Sequence, residues 1–558
     1  MYNNIASQII LQSLQYSPST IKSIKMKLKD LSTFYLLSVL AYLALVPQHS
    51  YSQITRDWEY SYNPINNYEA SGQSITVLPS GKTITAGLYK SSTGNNKNAM
   101  LFLDESGAFL DVDTSNPGFG YRKVIYDGKG NVFAAATLSN DSLPINKTVV
   151  ARFDTTFSNR QFFVPDSTTT FPGYDVLDMS ILSNSTIVVA SHWDAFPLVN
   201  LSLICMDSTG IVLWERVDSI FEFGYDVKLL ADSSGGVYVA GSGRDTSTSI
   251  NFIFISHYSS TGVRDWFVKQ YSSQSFADMN DIIMDVNKNL YVSGTVMDST
   301  GQVGILMKLD TLGNVLWDKP IQPLSYLRLT SDDNGNIYGA VVPQNGIDVL
   351  TIEKLDSSGT FIISNSYQNS FYFTSDLGDF RMLKNGIIAA TGGLYVLSFP
   401  KTDLFFVALD TSLNILGNDI YNSINLLGEK GHAMCESTDG NVYVCGRFNF
   451  ENQFETSNIG VAKYDLSGLI NGITNITSGD LEIFPNPSIG NFTMRWHSSQ
   501  TDNINVQIFN YLGMEVFNDA QSGTLEQIEY HLNLKPGIYH AVIETEHKRI
   551  ATKISIVE

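Results

Sequence analysis

Cysteine is nearly absent, with three residues in 558. That excludes a disulfide framework and leaves stability to packing. Only Cys435 and Cys445, which flank the turn Thr438-Asp439-Gly440-Asn441, could face each other across a hairpin, and two buried thiols are the simpler expectation. Charge is scarce too, at 16% of residues, where soluble domains usually carry roughly 25%. It is also lopsided: 35 Lys+Arg face 55 Asp+Glu, a formal net charge of −20. Such acidity repels nucleic-acid phosphates and anionic head groups, and no basic patch interrupts the body, so no nucleic-acid partner is expected.

Catalytic signatures are missing as well. His-Glu-x-x-His, Gly-x-Ser-x-Gly, Cys-x-x-Cys and the phosphate-binding glycine loops do not occur. The eight histidines, among them His192, His257 and His432, are scattered without ligand spacing. Asp332-Asp-Asn-Gly-Asn336 gathers carboxylates at a glycine turn, but the alternating ligands and terminal Glu of a Ca²⁺ loop are lacking, and an Asp capping its own turn explains the pattern. No catalytic residue, cofactor or metal is therefore assigned, and the body is expected to be a non-catalytic binding or interaction module; the second reading is a secreted polysaccharide-active hydrolase or lyase with carboxylates converging on a central channel.

There is a single long apolar run near the N-terminus, Phe34 to Val46, preceded by Lys25, Lys27 and Lys29 and followed by Ser50-Tyr51-Ser52-Gln53. Basic, apolar and small residues in that order make a secretory signal. In a helix at about 1.5 Å per residue the run is too short for the roughly 30 Å hydrocarbon layer. Residues 1–52 are thus read as an extension plus signal peptide, with Met26 a possible initiator, and no transmembrane segment is expected in the mature chain.

What the chain has is aromatic and turn-forming residues: 28 Tyr, 31 Phe and 42 Gly. They forecast β-structure. From residue 53 to 470 one unit recurs about every 52 residues: apolar strand, Asp-x-x-Gly turn, Tyr-Val-x-Gly strand, variable loop, apolar strand, Asp-Ser/Thr-x-Gly turn, and a strand often bearing Trp. The second turn recurs at Asp104, Asp154, Asp207, Ser259, Asp310, Asp356, Asp410 and Asp465. Eight units of four short strands suit eight propeller blades; a seven-bladed ring plus an irregular unit, or an open solenoid, stays possible. Trp58, in Asp57-Trp-Glu-Tyr60, occupies the register of Trp214, Trp266 and Trp317, whereas the last unit ends without such a strand. The N-terminal segment is expected to complete the last blade, and these tryptophans to pack blades together. Between blades and between strands two and three the loops vary and carry aromatics, as in Ser191–Phe196, Ser219–Tyr225, Ser370–Thr374 and Arg447–Phe450. Loops of that kind on a rigid scaffold are where a surface glycan or protein ligand would bind.

The body resembles the propeller repeats of exported bacterial proteins at Asp439-Gly-Asn-Val-Tyr-Val-Cys-Gly446 and Asp207-Ser-Thr-Gly-Ile-Val-Leu-Trp214. That implies a fold and no ligand. After a linker at 471–479, residues 480–558 form a further β module, expected as a small Ig-like sandwich. Phe484-Pro-Asn-Pro-Ser-Ile-Gly490, Val506-Gln-Ile-Phe-Asn-Tyr-Leu-Gly513, Leu534-Lys-Pro-Gly-Ile-Tyr539 and a basic terminal strand follow one another there. In this order they resemble the type IX secretion C-terminal sorting domain of Bacteroidetes. The motif residues are Pro485, Asn486, Pro487, Gly490, Gly513, Gly537, Tyr539 and Lys553. The resemblance implies the type IX secretion machinery as partner, passage through the periplasm, and a secreted or outer-surface location. The Asp-Ser/Thr triplets at Asp141, Asp154, Asp166, Asp207, Asp218, Asp298 and Asp310 similarly resemble the O-glycosylation acceptor of such exported proteins. Deleting residues 480–558 is expected to trap a folded propeller in the periplasm; cell fractionation and surface labelling decide it, and normal surface amounts of the truncated chain would remove the sorting role.

Overall fold

The computed structural model describes residues 54–557 except 63–68, 91–95, 115–119, 139–146, 158, 165–174, 196–197, 219–221, 246, 273–275, 300, 322–324, 343–347, 369–371, 397–401, 422–427, 449–456, 467–468, 470–480, 497–502, 511–514, 523–526 and 545–548. The expected signal segment and the linker lie outside the described residues. Of the segments expected as variable loops, 191–195, 222–225, 372–374 and 447–448 are strand instead, because their backbone pairs with the neighbouring strand, and the remainder lies outside the described residues. Among those described, no helix is long and apolar enough to cross a membrane.

Eight four-stranded antiparallel sheets follow one another along the chain, spanning 70–113, 121–163, 176–218, 222–271, 277–321, 328–368, 372–421 and, for the eighth, 430–464 with 56–62. Seven are simple meanders. The inner strand of each lines a central channel and the fourth is its outer edge. Burial follows from stacking. In blade 4 the second strand, Val237–Arg244, and the third, Asn251–Tyr258, are buried on both faces, because a neighbouring blade covers each side. The outer strand, Arg264–Tyr271, is only partly covered.

The Asp turns are built as their residues dictate. Asp207 Oδ1 accepts from the backbone N of Thr209 at 2.8 Å and of Ile211 at 3.0 Å, and Gly210 adopts φ +89°. That glycine has a second reason to lack a side chain, because an aromatic residue of the preceding blade lies on it. Phe163 covers Gly210, Trp214 covers Gly262, Trp266 covers Gly313 and Trp317 covers Gly359. Trp214 Nε1 donates to Ser260 O at 3.0 Å and Trp266 Nε1 to Thr311 O at 3.2 Å. Each such indole ties the outer strand of one blade to the third turn of the next.

The seam obeys the same rule. Trp58 lies over Gly107 of blade 1, and its Nε1 donates to Glu105 O at 3.2 Å. Its own strand, Arg56–Tyr62, pairs antiparallel with Asn458–Tyr464, with Trp58 opposite Lys463 and Tyr60 opposite Val461. The N-terminal strand is therefore the fourth strand of blade 8, as the Trp register predicts. Arg56 Nε also reaches Asp419 of blade 7 at 2.8 Å, and Tyr464 donates to the same carboxylate at 3.1 Å. Blades 8 and 1 meet further where Ser457 Oγ donates to Ala70 O at 2.9 Å.

The terminal module consists of two sheets. One joins Leu481–Phe484, Asn491–Trp496 and Gln527–His531; the other joins Asn503–Asn510, Glu515–Ser522, Gly537–Glu544 and Arg549–Ile556. Phe492, Met494, Val506, Ile508, Tyr530 and Ile554 are the buried centre between them.

Replacing Trp58 with Ala is expected to cost about 3 kcal/mol, the low end for a large aromatic because the indole is half-buried. The loss falls on closure, so limited proteolysis should open sites near 430–470 as well as near 58. Cleavage confined to the N-terminus would mean that the strand does not hold the ring.

Candidate functional site: the central channel and the terminal motif

The inner strands surround a cavity of about 950 Å³. Just beyond a bulge, or near the start of the strand where there is none, each blade places one residue at the same level, opposite a small residue of its second strand. In the first four blades these are Ser74 opposite Ala86, Lys123 opposite Ala135, Asp178 opposite Ala190 and Lys228 opposite Ala240. In the last four they are Asp281 opposite Ser293, Arg328 opposite Ala340, Asp379 opposite Thr391 and Ala433 opposite Cys445. From blade 2 to blade 7 the charges alternate in sign around the ring.

Each residue of this belt, or its neighbour, links to the next blade. Ser74 Oγ accepts from Val124 N at 3.2 Å. Lys123 Nζ lies 3.1 Å from Asp178 Oδ1, while Asp178 Oδ2 accepts from Leu229 N at 2.9 Å. Lys228 Nζ meets Asp281 Oδ1 at 2.6 Å, and Asp281 Oδ2 accepts from Leu329 N at 2.8 Å. Arg328 Nη2 donates to Gly378 O at 3.3 Å, and Asp379 Oδ2 accepts from Met434 N at 2.9 Å. At the seam Ala433 offers nothing polar and the bulge residue His432 takes over, with Nδ1 at 2.8 Å from Gly72 O.

Burial decides the proton states here. It opposes ionisation of Asp379, but Arg381, the N–H of Met434 and Arg328 outweigh it and hold the carboxyl below its ordinary value. His432 has no carboxylate strong enough to compensate, so burial pushes its pKa down to about 4 and the ring stays neutral at the seam. Of the other histidines, His257 sits between Asp232 Oδ2 at 3.2 Å and Asp265 Oδ2 at 2.8 Å within blade 4, and His192 is buried on the second strand of blade 3. The fold does not bring them together.

An acid pair in an aromatic-lined cleft would suit glycosidic chemistry, and an apolar plug would suit a purely structural axis. The channel is neither: along the belt a cation stands between each carboxylate and the next. The belt escaped sequence reading because its eight residues share no side-chain type. Its signal is position alone, a polar residue in seven of the eight units at one register of the inner strand. At Asp332 the carboxylate accepts from Asn334 N at 3.0 Å, Asn336 N at 2.9 Å and Tyr338 Oη at 2.9 Å, so the residue caps its own turn. Among the described residues no three His, Cys, Asp or Glu group as metal ligands. The cysteines are free thiols: Cys445 stands opposite Ala433 and Cys435 opposite Tyr443, two residues out of register with each other. Burial pushes the Cys435 thiol up to about 12.

In the terminal module the Pro-Asn-Pro segment is fastened to the last strand. Asn486 Oδ1 accepts from Ser555 N at 2.8 Å, Ser488 N donates to Ser555 O at 2.9 Å, and Val557 N donates to Ser488 O at 2.8 Å. Gly490 has φ +96° and a Cβ there would sit 2.2 Å from Leu532 O. Tyr539 Oη donates to Lys535 O at 2.9 Å, closing the turn that contains Gly537. Pro485 and Pro487 flank Asn486 at the surface. Gly513 lies outside the described residues, and of Lys553 only the backbone is described, opposite His540.

Replacing Asp281 with Ala removes the partner of Lys228 and the acceptor of Leu329 N at once, which is expected to cost about 3 kcal/mol in urea unfolding. Asp281→Asn keeps an acceptor and should cost less. Equal losses for the two would mean that the carboxylate charge has no part in holding blades 4, 5 and 6 together.

No curated protein resembles the chain closely enough to match. The solved structures to which it is similar share low identity with it. The Dos1 propeller covers 74% of this chain and 95% of its own at 12% identity and a TM-score of 0.47. The propeller domain of the trilobed protease from Pyrococcus furiosus covers 62% and 94% at 10% identity and TM-score 0.38. Polysaccharide lyase Uly1 covers 76% and 94% at 8% identity and TM-score 0.39. These likenesses concern architecture and carry no chemistry. Residues 482–557 match the family described as the secretion system C-terminal sorting domain. The chain is thus an all-β propeller protein bearing a type IX sorting domain, exported through the periplasm to the cell surface or beyond.

Proposed function

We propose that the propeller is a non-catalytic binding module, delivered to the outside by its terminal domain. The supporting observation is the state of the channel acids. Asp178 and Asp281 each accept a backbone N–H from the next blade and pair with a lysine, and Asp379 accepts the N–H of Met434 and pairs with Arg381. A carboxylate so occupied is a poor general acid or base, since moving its proton would break an inter-blade link. We assign residues 53–470 to the propeller, 471–479 to a linker and 480–558 to the sorting module. In that module Asn486, Gly490 and Tyr539 shape the surface presented to the secretion machinery, and Pro485 and Pro487 hold Asn486 against the last strand.

The test is a glycan and peptide array probed with the full chain, followed by a hydrolysis and elimination screen on every hit. Binding without turnover is the expected result. Product release from any hit would replace this reading with an enzymatic one.

A further inference from the structure

Most of this protein is acidic, with a net charge of −20, yet the channel reverses the sign. Its lining holds five cations, Arg122, Lys123, Lys228, Arg328 and Arg381, against the three carboxylates of Asp178, Asp281 and Asp379. The acids are saturated, each with a cation and a backbone N–H. Lys123 and Lys228 are paired with them, whereas the three arginines keep donors to spare.

Arg122 is the bulge residue of blade 2. It is exposed to the channel and has no hydrogen-bond or ion-pair partner among the described residues. Arg328 donates only to carbonyl oxygens, those of Leu327 at 2.8 Å and Gly378 at 3.3 Å, which leaves its charge unneutralised by contact. Arg381 engages Asp379 through one terminal nitrogen, while its Nε is buried without a partner. The Arg381 side chain is 42% exposed as a whole, so this covered donor faces water or a bound group rather than the protein. Guanidinium groups in a low-dielectric cleft are suited to oxyanions, to which they donate in pairs.

The ring order fixes what shape that ligand takes. Blades 2 and 6 are four apart among eight, so Arg122 and Arg328 stand on opposite walls, with Arg381 on the blade next to Arg328. We infer that the channel binds a small polyanion whose carboxylate or sulfate groups lie on more than one side. A free polycarboxylate and the end of an acidic saccharide chain share that chemistry. The cavity of about 950 Å³ accommodates either. This deepens the binding reading above and rests on it. The surrounding negative charge turns away long polyanions, while the confined positive field draws in a short one.

The experiment is titration calorimetry on the full chain at low ionic strength. Citrate, a hexuronate trisaccharide, inorganic sulfate and a neutral trisaccharide of equal length are the probes. Citrate or the hexuronate should bind, sulfate more weakly and the neutral sugar not at all, with affinity falling as salt rises. Which of the first two binds tighter identifies the source. Arg122→Gln should weaken binding about tenfold or more, the usual scale for a charged hydrogen bond. It should leave the melting temperature unchanged because the side chain has no partner to lose. Arg122→Lys keeps the charge and should recover part of the affinity. Absence of binding by every anionic probe, or equal affinity in Arg122→Gln, overturns the inference. A neutral glycan or peptide captured on the array would then still sustain the binding reading, whereas turnover of a bound anion would end that reading and leave the channel site standing.

Discussion

Every blade has two apolar faces, and that constraint governs the rest. A four-stranded sheet such as that of blade 4, with its second and third strands buried on both sides, is unstable until a neighbour covers each face. A row of such sheets always leaves two faces bare, and a ring leaves none. Closure then needs the end blades fastened as firmly as any other pair. The chain achieves this by lending its first strand to its last blade, so the junction carries a full ladder between 56–62 and 458–464 besides the packing of blade faces. The Trp58 indole on Gly107 then repeats at the seam what Trp214 does on Gly262. The seam is thus built like the interior of the array.

The same crowding creates the charged belt. Eight inner strands converge on the axis, seven of them bulged, and there backbone N–H groups donate across to a neighbouring blade. Side chains from the preceding blade supply acceptors to Val124, Leu229, Leu329 and Met434. Carboxylates do this best, but like charges packed around a narrow channel would repel. Interposing Lys123, Lys228 and Arg328 removes that repulsion and adds inter-blade bonds. Where the alternation stops, at Ala433 and Ser74, His432 completes the circuit as a neutral group.

The repeat, the blade number and the ring closure were legible in the sequence because their determinants are local and repetitive. An Asp and a Gly make the third turn, and a Trp at fixed distance marks the outer strand. Trp58 lacks the preceding three strands, and that mismatch alone exposes the strand exchange. The terminal motif was legible for the same reason, since Pro485, Asn486, Pro487 and Gly490 fall within six successive residues. The belt was not. Ser74, Lys123, Asp178, Lys228, Asp281, Arg328, Asp379 and Ala433 have nothing in common except the blade register, and charge alternation has meaning only once the strands are known to be neighbours around an axis. The inner-strand bulges that define the register depend on pairing with the second strand, which no single strand reveals.

Strand exchange also orders folding relative to export. Trp58 can meet its partner Lys463 only after some four hundred residues have been made, so closure cannot precede synthesis of the eighth unit. The sorting module follows directly in sequence, and its own last strand is fastened back onto the Pro-Asn-Pro segment through Asn486 and Ser488. Both units therefore end on a bond between their first and last segments. The propeller can close before the module that directs its export is complete, because the strand that closes it, 458–464, precedes the module in the chain. An open array would present the bare faces of blades 1 and 8 to every other unfolded chain in the periplasm. Placing the export signal after the closing strand lets the body hide those faces before it is recognised for transport.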